Sequence, residues 1–137
     1  MKLSPIVDRL KGAGFKRVYG ALEFATLKDI PGALPQFFVV PEGSDAAPSD
    51  TSGVHDQRVQ GGFMVVMLLE GTSRREDAVS DELEEQERAV IDAIAGWQHP
   101  QATRACDFVG GRLLSVNGST LSWGVRFRTG WRIRKAV

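Results

Sequence analysis

The sequence is poor in the residues that anchor chemistry. Among 137 residues there is one cysteine, Cys106, and there are two histidines, His55 and His99. A lone cysteine closes no internal disulfide, so no oxidising compartment is implied, and Cys106 reads as a small buried apolar side chain. Neither histidine has a cysteine or carboxylate at metal-ligand spacing; both read as solvated loop side chains, and no metal site is expected. No apolar run approaches the roughly 18 residues of a membrane span, and Met1-Lys-Leu-Ser-Pro5 lacks the apolar region of a signal peptide. A cytoplasmic location and no membrane partner are expected. Gly110-Gly111 lacks the Lys-Ser/Thr of a phosphate-binding loop and opens no helix, so a strand bulge is the better reading. Serines occur without a nucleophile elbow. The sequence therefore points to no enzyme: no catalytic residue, no cofactor and no metal ligand is assigned.

Net charge is lacking too, with 17 basic and 17 acidic side chains, but the signs are segregated. Residues 70–92 carry nine acids against three arginines, whereas residues 104–137 carry seven bases against Asp107 alone. The first 69 residues balance at seven and seven. A neutral chain thus has one acidic and one basic element.

The basic element is a strand. From Leu121 to Arg134, Leu121, Trp123, Val125, Phe127, Thr129, Trp131 and Ile133 alternate with Ser122, Gly124, Arg126, Arg128, Gly130, Arg132 and Arg134. A period of two puts one set in a core and the other outside it. Asn117-Gly118 is a hairpin signal that makes Phe108 to Val116 the partner strand. Fourteen residues would run about 46 Å, so a bend or bulge is expected at Gly124 or Gly130.

Upstream, Ser4-Pro5 reads as a helix start with Ser4 as the cap, Ile6, Val7 and Leu10 as its apolar stripe, and Gly12 or Gly14 as its stop. Phe15 to Tyr19 has the composition of a short strand, and Ala21 to Lys28 fits a short helix. Gln36 to Val40 reads as a buried strand ended by Pro41. Residues 42–56 are small and polar, which predicts a flexible loop, either a surface excursion or an arm that orders on a neighbouring protein. Arg58 to Leu69 reads as a central strand with a bulge at Gly61-Gly62. Arg75 to Ala95 is the one long helix, with Val79, Leu83, Gln86, Val90, Ile94 and Trp97 in a stripe and Gly96 as its cap. Gln98 to Ala105 is a loop. The expected architecture is one α+β domain over residues 1–137. One long helix and one or two short ones cover one face of a mixed, largely antiparallel sheet of about five strands that ends in a C-terminal β-hairpin.

Three readings of the arginine row stay open: arginines paired locally with acids, which contribute little; a nucleic-acid surface; or a contact between copies. The regular alternation puts Trp123, Phe127 and Trp131 on the face away from the arginines, where they cannot stack on the same bases. A contact between copies would join Arg126, Arg128, Arg132 and Arg134 to the helix acids Glu82, Glu84, Glu85 and Glu87, since complementary, non-identical patches permit head-to-tail rings. Without such a partner those four acids read as a solvated helix face. Asp45 and Asp50 in the predicted loop are further candidate contacts.

Several phrases carry a family likeness: Met1-Lys-Leu-Ser-Pro-Ile-Val-Asp-Arg-Leu10, Phe37-Phe-Val-Val-Pro41, Gly53-Val-His-Asp-Gln-Arg-Val59, Gly96-Trp97, and Phe108-Val-Gly-Gly-Arg-Leu-Leu114 before a strand closing in Trp131-Arg132. Together they resemble the tail-terminator proteins of long-tailed bacteriophages across nearly the whole chain. That resemblance implies a small α+β structural protein of the virion, made in the host cytoplasm. It implies a homo-oligomeric ring, typically hexameric, on the head-proximal end of the tail tube, where it stops tube polymerisation and presents a surface to neck or head-completion proteins. DNA would pass through the ring without specific binding. The alternatives are a neck or head-completion protein and, from a different class, an arginine-rich nucleic-acid-binding module.

Overall fold

The computed structural model describes residues 1–26, 32–71 and 76–136. In chain order the elements are α1 (Ser4–Gly12), β1 (Val18–Tyr19), α2 (Ala21–Thr26), β2 (Gln36–Ala46), β3 (Val54–Glu70), α3 (Glu76–Ile94), β4 (Asp107–Asn117) and β5 (Thr120–Ala136). They form a five-stranded sheet in the order β1-β2-β3-β5-β4, parallel at β1-β2 and antiparallel elsewhere. This is the mixed α+β architecture expected from the sequence.

Alternation along the strands builds two layers of core. Phe37, Val39, Phe63, Val65, Met67, Leu69, Val125 and Phe127 face α1 and α3, which contribute Ile6, Leu10, Val90, Ala93 and Ile94. The Phe63 and Phe127 rings stack with centroids 5.5 Å apart at the centre of this layer. Burying an aromatic side chain there makes truncation to alanine cost about 3–5 kcal/mol. The opposite face carries a smaller cluster of Phe38, Val66 and Leu68, packed by Phe24 of α2. The helices therefore do not share one face, as expected above: Phe37 and Phe38 point to opposite sides, and α2 covers the second.

Ser4 is not the cap of α1. The Ile6 and Val7 amides bond to the Leu3 carbonyl, Leu3 holds the cap position, and no side chain caps the turn. Lys28 and the end of the predicted second helix, like residues 72–75, lie outside the described residues. The loop predicted over 42–56 shrinks to residues 47–53, because β2 runs on through Glu42–Ala46 and β3 begins at Val54. Pro41 does not end β2. The two-residue β1 pairs only with Phe37 and Phe38, so from Val39 onward the outer side of β2 is an edge, where a missing donor is tolerated.

The two long strands do not break where glycines suggested. β3 and β5 pair without a register shift from Val54↔Ala136 to Glu70↔Thr120, seventeen residues each and about 56 Å at ~3.3 Å per residue. The bulges sit on their neighbours: on β2 between Pro41 and Gly43, and on β4 between Phe108 and Gly110 and between Leu113 and Ser115. The glycines serve close approach instead. A Cβ on Gly61 would lie 2.6 Å from the Trp131 ring, and one on Gly124 would strike the Met64 sulfur. The hairpin turn also sits one residue later than Asn117-Gly118, because Asn117 pairs with Thr120 and the central residues are Gly118 and Ser119. Only Gly118 has a positive φ, 60°, which is the pattern of glycine at the first central position.

Beyond the helices the sheet continues as a three-stranded arm made of Glu42–Ala46, Val54–Gln60 and Gly130–Ala136. The segment after α3 anchors its base: the Thr103 amide bonds to the Gly130 carbonyl (2.9 Å) and Thr129 donates to the Arg104 carbonyl (3.0 Å). His99 holds that segment to the N-terminus. It is fully buried, accepting from the Gln101 amide at Nδ1 (2.9 Å) and donating from Nε2 to the Lys2 carbonyl (2.6 Å). The expectation of a solvated loop histidine fails because these backbone partners replace water. His55 likewise lies on β3 rather than in a loop, 2.7 Å from Gln57.

Candidate functional site

The charged face of the sheet is built by the even-numbered residues of β5, which point away from α1 and α3. Two of the four arginines are neutralised inside the chain. Arg126 Nε reaches across β3 to both carboxylate oxygens of Glu42, the bulged residue of β2, at 3.1 Å. Arg132 grips Asp56 with two bonds, 2.6 Å from Nε and 3.0 Å from the terminal nitrogen. That fork, aided by the nearby charges of Arg132, Arg134 and Arg58, holds the Asp56 carboxyl below its ordinary value. Arg128 donates to the Gln60 side chain at 3.5 Å, and among the described residues neither it nor Arg134 has an ion pair.

The predicted acidic contacts divide in the same way. Asp45 stands opposite Gln60 on β2 and, with Arg126 and Arg128, lines a cleft of about 240 Å³. Asp50 lies in the connection between β2 and β3 and lines a hollow of about 340 Å³ with Asp56, Arg58 and Arg132. Glu82, Glu84, Glu85 and Glu87 are not brought to the arginine row, since α3 packs on the other face of the sheet. Glu84 is exposed and pairs with Arg88 at 3.2 Å one turn on, Glu85 is exposed, and Glu82 is half-buried. Glu87 turns inward and accepts from the Trp123 indole, in a space left open because residue 111 has no side chain.

Sequence reasoning missed both partners of the arginines, Glu42 and Asp56, because residues 42–56 read as loop. It also missed the surface of β4. This outermost strand exposes Phe108, Val109, Leu113 and Val116 at 41–58%. The signal was present: Phe108-Val109 and Leu113-Leu114 are adjacent apolar pairs, and in an edge strand one member of each must face outward.

The aromatics of β5 offer no stacking platform for bases beside the arginines. Phe127 is buried, Trp123 is bonded to Glu87, and Trp131 lies on Gly61, all on the face away from the arginines. Burial pushes the Cys106 thiol above its ordinary value, which fits the expected inert core residue. Among the described residues no helix is long and apolar enough to cross a membrane, and no three His, Cys, Asp or Glu side chains group as metal ligands.

No curated protein matches this sequence. Among solved structures, a chain from the "Virion of native gene transfer agent (GTA) particle" shares the fold with a TM-score of 0.53. The two are 19% identical, and the match covers 90% of this chain and 84% of that one. The family model described as "Phage tail terminator protein" matches residues 1–137 without remainder. An α+β sheet with a charged arm, matched from first residue to last, belongs to the phage tail terminator family.

Proposed function

We propose that copies of this protein close into a ring, with six subunits as the expected number, on the head-proximal end of the tail tube. The ring ends tube polymerisation and offers the surface on which neck or head-completion proteins join the tail. The protein acts as a structural part of the virion and not as an enzyme. The observation that carries this reading is the match to the tail-terminator family over the whole chain.

Exposure of the charged side chains supports a choice among the contacts. Arg126, Arg132 and Glu87 are engaged within the subunit, whereas Arg128 and Arg134 on β5 and Glu84 and Glu85 on α3 are exposed, Glu84 in a surface pair with Arg88. With Glu82, Asp45 and Asp50 nearby, these groups are positioned to meet the tube protein, the neck, or an adjacent subunit. They lie on opposite faces of one molecule, as contacts made to different neighbours require.

Adding the purified chain to polymerising tube protein tests the reading. Tubes should stop lengthening, with the protein on one end only; a length distribution identical with and without it would overturn the proposal. Label on the portal side of an already capped tail would make it a neck protein instead.

A further inference from the structure

Among the described residues the sheet has an open edge at each end, and each end carries exposed apolar side chains. β4 exposes Phe108 (41%), Val109 (46%), Leu113 (53%) and Val116 (58%); the far end exposes Tyr19 (38%) on β1 and Leu22 (76%) on α2. Among the described residues the only other exposed large apolar side chain is Ile133, on the arm. Water-facing apolar side chains in single file are ordinary, but two clusters confined to the two edges of one sheet are a pattern.

The β4 edge is eleven residues long, and among the described residues its outer side pairs with no strand. Natural edges of that length carry devices against sticking, and here the device is partial. Bulges after Phe108 and after Leu113 break the regular ladder, so a second strand cannot zip along it. What remains is side chains. Phe108, Leu113 and Val116 lie opposite Phe127, Trp123 and Leu121, on the side of the sheet that bears α3.

β1 and β4 are four strand spacings apart, about 19 Å at ~4.8 Å each. The two edges face away from each other at opposite ends of the sheet, so one partner surface does not cover both. Two different surfaces in mutual contact make a heterologous interface, and a heterologous interface that closes makes a ring. A standard interface covers about 800 Å² per partner. That is about a tenth of the 8146 Å² surface, so a joint of standard size takes in polar neighbours of the exposed apolar side chains as well.

We infer that the β4 edge of one copy docks through its apolar side chains onto the β1-α2 end of the next copy. The sheets then follow one another around the ring. This rests on the ring-forming reading above and names its interface; it replaces the acidic-helix-to-arginine contact as the principal joint between subunits. The basic arm is left available to other tail proteins.

Cysteine cross-linking of the full-length chain tests it. Cys106 is buried, so it competes little with introduced thiols. Under mild oxidation the double variant Leu22→Cys/Leu113→Cys should give a ladder of disulfide-linked multimers ending at the ring. Each single variant should stay unlinked, and Leu113→Lys/Val116→Lys should remain folded by circular dichroism while its oligomers weaken at least tenfold. A strong dimer from Leu113→Cys alone would show β4 meeting β4 and overturn the inference. A wild-type ring that the lysine pair leaves intact would overturn the interface but keep the ring. A wild type that stays monomeric, alone and on tubes, would remove both.

Discussion

Adding one methyl group at Gly61 should measurably loosen the arm. An alanine Cβ there would lie 2.6 Å from Trp131 Cζ3 and 2.7 Å from Cη2, about 1 Å inside the optimal carbon separation of ~3.5–4.0 Å. The obstacle is a rigid indole and not the end of a flexible chain, so either the ring swings out and loses its packing or β3 moves from β5. Overpacking of this kind costs about 1–3 kcal/mol. With ~2.1 cal/mol/K of unfolding entropy per residue, each kcal/mol lowers Tm by about 3.5 °C here, so Gly61→Ala should fall by about 3–10 °C. Thermal denaturation followed by circular dichroism reads that shift. A double-mutant cycle with Trp131→Ala then isolates its cause, and a coupling near 1 kcal/mol or more is expected. An unchanged Tm, or a loss that persists in full in the Trp131→Ala background, would refute the steric account of why β3 carries glycine there.

Gly111→Ala should separate the edge strand from the helix, because its Cβ would fall on the Glu87 carboxylate and the Trp123 indole; Trp fluorescence should change, and stability should drop by about 1–3 kcal/mol. His99→Ala should lower stability by about 1–3 kcal/mol by stranding the Lys2 carbonyl, and nitrogen NMR of the wild type should show the Nε2-protonated tautomer; a mobile, solvent-like His99 signal would contradict the buried bridge. The depressed Asp56 carboxyl stabilises the folded state above the ordinary aspartate value of 3.8 and loses that contribution as pH falls through the folded value below it. Wild type and Asp56→Asn should therefore converge in stability at low pH, and carbon NMR should place the Asp56 titration below 3.8; a midpoint at or above 3.8 would mean that the Arg132 fork is not formed in solution.

What was legible in the sequence was whatever repeats with a period. The alternation of Leu121 to Ile133 and the stripe from Val79 to Trp97 gave β5 and α3 nearly to the residue, and with them the order of elements and the fold class. What escaped depends on partners far away in the chain. Glu42–Ala46 has too few apolar residues to read as strand; it pairs because β3 already stands beside it with Val59 to Gly62 in register. Gly61 and Gly124 read as bulge sites on local grounds, whereas each makes room for a side chain from another element; the bulge expected at Gly110-Gly111 does form, with the register shifting between Phe108 and Gly110. The arginine row reads as unbalanced, but both of its neutralising acids, Glu42 and Asp56, lie in the stretch that reads as loop. Exposure of β4 follows from its position at the sheet edge, which alternation alone cannot supply.

Image reconstruction of tails carrying the protein reaches the central claim most directly. The account predicts a closed ring at the head-proximal end of the tube, each subunit's Leu113 and Val116 facing Tyr19 and Leu22 of the next. Density elsewhere on the particle, or subunits joined through α3 and the arginine row with β4 left in solvent, would contradict it.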